Sequence, residues 1–252
     1  MANKVIVQPG GNVFTKIQDA IDSIQDASEK CWYQVLCSAG TYEERITLKP
    51  WVFVTGMDET TDNTIITCNT TGSPTGTIIA ASNSGVTGCT IISMAVKGGD
   101  TPCAVFANGV ENFKLIGCKV YTKQSVSAHF AAICTVALNF YKYGSGKASM
   151  HISSCEISQE CQATSTGPSM EAVAADVNAT MEVYNSKISC VGASDYAGAL
   201  VATGGKITVE ISDISCPNMA LDTASDSSGG SIKAIGCKIS GGVGKGVVVV
   251  DE

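Results

Sequence analysis

Val86-Thr87-Gly88-Cys89-Thr90-Ile91, Leu115-Ile116-Gly117-Cys118-Lys119-Val120, Ile152-Ser153-Ser154-Cys155-Glu156-Ile157, Val183-Tyr184-Asn185-Ser186-Lys187-Ile188, Ile211-Ser212-Asp213-Ile214 and Ile235-Gly236-Cys237-Lys238-Ile239 are six versions of one short pattern. Aligned on Cys89, Cys118, Cys155, Ser186, Asp213 and Cys237, they recur at steps of 29, 37, 31, 27 and 24 residues. A second landmark keeps the phase: Ala104-Val105, Ala172-Val173 and Ala199-Leu200 each place an Ala 14 residues before Cys118, Ser186 and Asp213. A period of this length, with β-rich runs and no helical pattern between its members, describes a solenoid. Each repeat is one coil of three short strands joined by turns, and coils stack at the ordinary strand spacing of about 4.8 Å.

Working outward, the solenoid explains the composition of the 252-residue chain. It is 44% hydrophobic but only 6% aromatic, with 26 Gly and 12 Cys. Small apolar side chains must repeat at one place in successive coils to fill a narrow interior, and every coil needs tight turns. One helix is legible before the coils: Ile17, Ala20, Ile21 and Ile24 form a single apolar stripe. Thr15 with Gln18 three positions on has the form of a capping box, which predicts a helix from Lys16 to about Ala27. The helix is expected to cover the first coil, because a solenoid exposes strand edges at its ends. The expected organisation is one domain over residues 1–252, with a cap helix within about 13–30 and stacked coils over about 33–250.

Charge and cysteine usage exclude several function classes. A formal net charge of −7 repels phosphate backbones, so no nucleic acid partner is expected. No run approaches 18 apolar residues, so no membrane span is expected. The opening MANKVIVQPGG carries no apolar stretch of signal-peptide type, which predicts a cytoplasmic or virion-associated chain, extracellular if a leader was trimmed. No Cys-x-x-Cys pair occurs, so zinc is not expected, and cysteines within apolar runs are expected to be buried free thiols.

The first third resembles a known family. Phe14-Thr15-Lys16-Ile17-Gln18-Asp19-Ala20-Ile21, Gly40-Thr41-Tyr42-Glu43-Glu44-Arg45-Ile46, Val52-Phe53-Val54-Thr55-Gly56-Met57 and Thr64-Ile65-Ile66 are similar to the opening of pectin methylesterases, and the resemblance is strongest over residues 13–66. It implies an all-β fold: a single-stranded right-handed parallel β-helix, a three-sheet solenoid of the pectin lyase-like superfamily with an N-terminal capping α-helix. The family's reaction centre is not retained. Ala104-Val105 fits its Gln-Ala-Val motif, but Cys103 stands at the Gln. Cys118, Val120 and Gln124 fit its Cys-x-Phe-x-Gly-Tyr-Gln-Asp motif, but Ser125 stands at the Asp. Gln162 stands where the offset from Cys155 calls for the second Asp, and the only arginine, Arg45, lies in the first coil.

These substitutions predict a non-catalytic, pectin-esterase-like β-helix acting as a structural, adhesive or carbohydrate-recognising module, of virion or phage origin. The alternative is a divergent polysaccharide-active enzyme of esterase, lyase or glycoside hydrolase type. No catalytic residue, metal ligand or cofactor is expected. Lys123, Gln124, Glu160 and Gln162, at comparable offsets in neighbouring coils, are the candidate substrate-binding group. The expected partners are a polysaccharide or glycan and further copies of the chain, the latter through the apolar C-terminal coil ending Val247-Val248-Val249-Val250.

Overall fold

A computed structural model describes residues 3–10, 14–58, 60–70, 75–95, 102–124, 130–136, 146–161, 170–191, 197–223 and 229–250. Every strand pairing between its strands is parallel, and the strands fall into three stacks. Sheet one runs in chain order through Asn3–Val7, Tyr33–Cys37, Val52–Gly56, Gly85–Thr87, Phe113–Ile116, Ala148–Ser153, Ala179–Tyr184, Lys206–Glu210, Ser231–Ile235 and Val247–Val250. Sheet two runs through Gly40–Glu43, Thr64–Thr70, Thr90–Ala95, Lys119–Gln124, Glu156–Cys161 and Lys187–Val191 to Asp213–Asp222, with Lys238–Val243 beyond it. Sheet three runs through Ile46–Thr47, Thr75–Ile79, Pro102–Asn108, Phe130–Val136, Met170–Asp176 and Ala197–Thr203. The long strand Asp213–Asp222 serves both of the last two, pairing Asp213–Ser215 with Lys187–Ser189 and Met219–Asp222 with Gly198–Val201. Each turn of chain thus visits sheets one, two and three in order.

Parallel in-register pairing turns the sequence repeat into columns of like residues. Ile66, Ile91, Val120, Ile157, Ile188 and Ile214 stack inside sheet two. Val35, Val54, Val86, Leu115, Ile152, Val183, Val209 and Ala234 do the same inside sheet one. The alanine landmark is such a column in sheet three: Thr77, Ala104, Ala132, Ala172, Ala199 and Ala220, all fully buried. A buried Val, Leu or Ile contributes about 1.5–3 kcal/mol, so these columns are the main cohesive term between coils.

The register corrects the alignment at one coil. Lys187 pairs with Asp213 and Asp213 with Lys238, so Ser212, not Asp213, occupies the cysteine column. The column reads Cys89, Cys118, Cys155, Ser186, Ser212, Cys237, and Asp213 belongs to the next row outward. Its chemistry explains why Cys and Ser share the column. The Cys118 amide donates to Cys155 Sγ (3.5 Å), the Cys155 amide to Ser186 Oγ (3.1 Å) and the Ser186 amide to Ser212 Oγ (3.0 Å). Each thiol or hydroxyl then donates to the carbonyl two residues back, as Ser186 does to Tyr184 (2.9 Å) and Cys155 to Ser153 (3.2 Å). The position demands a small side chain that both accepts and donates, which only these residues supply.

The helix spans Ile17–Ser23, shorter than its apolar stripe predicts, because Ile24 is already extended while its side chain stays buried. The capping box does not form. Helix entry is capped from the first coil by Glu44, whose two carboxylate oxygens accept the Ile17 amide (2.8 Å) and the Gln18 amide (3.0 Å). Gln18 instead pairs like a strand with Thr47, accepting its amide (2.7 Å) and donating to its carbonyl (3.3 Å). Lys49 donates to the Asp22 and Ile24 carbonyls at the other end. The eleven cysteines whose side chains are described are all free. No described helix is long and apolar enough to cross a membrane.

Candidate functional site

The corner between sheets one and two is turned in each coil by one residue in the left-handed region: Gly88 (φ 65°), Gly117 (58°), Ser154 (53°), Asn185 (45°), Ile211 (48°) and Gly236 (56°). Immediately after it, the Cys/Ser column points inward and the next residue points outward. That outward row is Lys119, Glu156, Lys187, Asp213, Lys238. Main-chain bonds fix its spacing, since the Glu156, Lys187 and Asp213 amides donate to Cys118, Cys155 and Ser186 carbonyls at 2.8–2.9 Å. A groove of about 530 Å³ follows this corner along the coil axis, with Cys118, Cys155 and Ser186 beneath and the charged row on one side.

The row alternates in sign, coil by coil. Lys187 Nζ lies 3.1 Å from Glu156, and Lys119 Nζ lies 2.6 Å from Asp62, which holds the Lys119 ammonium above the usual lysine range. Both pairs are exposed, which limits each to about 0–1 kcal/mol. Alongside runs a second outward row, Tyr121, Ser158, Ser189, Ser215 and Ser240, in which Ser189 Oγ donates to Ser158 Oγ (3.2 Å). Tyr121 heads it, its hydroxyl bonded to Glu160; partial burial, then that bond, push its pKa up to about 12. Sheet two therefore presents a flat ladder of charged and hydroxyl groups at one coil per step. Among the described residues no cluster of three or more His, Cys, Asp or Glu side chains could hold a metal ion.

Of the residues expected to bind substrate, Lys123 and Gln124 end one strand of this sheet and Glu160 lies on the next. The register sets Lys123 against Glu160, between Met94 and Val191 in the same row, and Gln124 against Cys161. Gln162, Ser125 and His129 lie outside the described residues. Sequence reasoning missed the row Lys119, Glu156, Lys187, Asp213, Lys238, although its signal was present: each follows a member of the Cys/Ser column, and the signs alternate once Asp213 is moved into its true row.

At the position of the family's Gln, Cys103 is 5% exposed. It belongs to a separate apolar cluster on sheet three with Phe106 (7%), Cys134 (6%) and Ala174 (2%), packed with Ile79. Hydrogen bonding with Cys103, then burial, pushes the Cys134 thiol well above its ordinary value. The charges of Asp176 and Glu171 push it in the same direction.

Three parallel sheets, columns of like residues and a helix closing the first coil define a right-handed parallel β-helix of pectin methylesterase-like fold. No family model and no curated protein sequence matches the chain. Among solved structures it is similar to the pectin methylesterase from carrot, with TM-score 0.62 and 15% identity over 99% of this chain and 89% of that one. It is also similar to pectin methylesterase PemA from Erwinia chrysanthemi, with TM-score 0.59 and 12% identity over 99% and 93%. A third, the pectin methylesterase from Aspergillus niger, gives TM-score 0.56 and 15% identity over 96% and 85%. At such identities the likeness is one of fold.

Proposed function

We propose that the chain is a non-catalytic β-helix that recognises carbohydrate, serving as a structural or adhesive module. The observation that carries this reading is the state of the position where the resemblance calls for a glutamine: Cys103 is sealed in an apolar cluster with Phe106, Cys134 and Ala174. No amide is available there to bind a developing oxyanion. The flanking motifs bring Ser125 and Gln162 in place of carboxylates, so those two positions supply neither the general acid nor the general base of an ester hydrolysis. Arg45 is exposed in the first coil, outside the matching coils. Carbohydrate recognition draws support from the polar ladder of sheet two and from a similar solved structure, a pectin methylesterase in complex with a hexasaccharide.

The test is methanol release from methylated pectin alongside a glycan array on the purified chain. The expected result is no turnover above the no-protein control with retention of at least one glycan class. A second reading, a divergent polysaccharide-active enzyme, has one observation in its favour: Glu156 and Asp213 stand two coils apart on one outward row. Two steps of about 4.8 Å bring their backbones within roughly 10 Å, near the carboxylate spacing of inverting glycosidases. Turnover abolished by Glu156→Gln and by Asp213→Asn would replace the first reading with this one.

A further inference from the structure

We infer that the outer face of sheet two binds a linear polysaccharide of alternating composition, one sugar carrying a carboxylate and the next carrying N–H and O–H donors, laid along the coil axis. This rests on the carbohydrate-recognising reading above and specifies its ligand. The sign of the row is the decisive feature. Lys119, Lys187 and Lys238 recur every second coil, with Glu156 and Asp213 between them. Coils advance by about 4.8 Å, close to the length of one pyranose in an extended chain, so successive sugars meet successive coils.

A polyuronate with a charge on every sugar would set carboxylates against Glu156 and Asp213 at every second step, and like charges at such range repel. A neutral polymer would bring no carboxylate to compete with Asp62 and Glu156 for Lys119 and Lys187. An alternating uronate–hexosamine polymer satisfies both sets: carboxylates on the lysines, amide and hydroxyl donors on Glu156 and Asp213. The small hydroxyls of Ser158 and Ser189 beside the charged row leave room for a ring to lie flat. The exposed ion pairs Lys119–Asp62 and Lys187–Glu156 are weak enough for a ligand carboxylate to compete.

Titration calorimetry of the full chain with hyaluronan, polygalacturonate and a neutral β-glucan tests the inference. Hyaluronan is expected to bind at least tenfold more tightly than either other polymer and to weaken with added salt. Lys187→Ala is expected to lose tenfold or more of that affinity, and Asp213→Lys to raise affinity for polygalacturonate and erase the preference. Both side chains are exposed, and circular dichroism would verify that each variant keeps the fold. Polygalacturonate binding as well as hyaluronan, or hyaluronan binding unchanged by both substitutions, overturns the inference while leaving carbohydrate recognition standing. Retention of no glycan on the array overturns both.

Discussion

Ile211 is the most strained residue of the corner. It is β-branched, 57% exposed and held at φ 48°, where a Cβ with two branches crowds the backbone. Neighbouring coils use Asn185 and Gly236 for the same turn. Ile211→Asn should therefore stabilise the chain by about 1 kcal/mol, a rise of about 2–4 °C in Tm, measured by thermal unfolding. A lower Tm would mean that Ile211 packs more usefully than its exposure implies. Tyr121 gives a pH-dependent test at the same scale. Its pKa, pushed up to about 12 from an ordinary 10, means that the folded chain holds this proton more tightly than the unfolded one. Its contribution is complete below pH 10 and is lost as pH climbs to about 12. The stability gap between the native chain and Tyr121→Phe should shrink across that window in denaturant titrations; a gap independent of pH would remove the Glu160 bond from the account. Single residues are also where sequence reading slipped. Asp213 aligns with the cysteines in sequence because polarity alone does not distinguish an inward hydroxyl from an outward carboxylate one position later.

At the scale of elements, the segments that carry the family resemblance lock the helix to the coils. Glu44, from Gly40-Thr41-Tyr42-Glu43-Glu44, caps the helix that begins at Ile17, and Tyr42 donates its hydroxyl to the Ser38 carbonyl (2.9 Å) and the Val7 carbonyl (3.3 Å). Glu44→Ala should cost about 1–2 kcal/mol and speed amide hydrogen exchange over residues 14–24 ahead of the coils; uniform exchange would show that the cap is not a separate unit. The inner column makes a sharper prediction. Ser186→Ala leaves the Cys155 amide without its acceptor and should cost about 1–3 kcal/mol, whereas Ser186→Cys restores the chemistry of the adjacent coils and should cost less than half as much. Equal losses in denaturant unfolding would contradict the donor–acceptor role. The helix itself was legible as an apolar stripe, but its cap was not, because the capping carboxylate lies 27 residues away in sequence.

For the whole molecule, stacking predicts how the thiols respond to solvent. Cys31, Cys68 and Cys237 are partly exposed, and the other eight cysteines whose side chains are described are buried. Alkylation of the native chain at neutral pH should modify those three and spare the eight until the coils unfold. Cys216 separates access from acidity: hydrogen bonding with Cys190 draws its pKa down to about 6, yet it is buried, so it should still resist alkylation. Rapid native labelling of Cys216, read by peptide mass, would mean that the interior opens readily. The sequence by itself determined the winding, because a repeated inward small residue and a repeated turn can be satisfied together only by coils stacked in register. It also put Ser125 and Gln162 at the positions where the resemblance to pectin methylesterases calls for carboxylates. Only the tertiary structure decided which residues share a row, since one position of slip exchanges the inside of a strand for its outside. That exchange placed Ser212 within and Asp213 on the surface, and so assembled from five separate coils an alternating ladder of charge whose members are adjacent through parallel pairing alone.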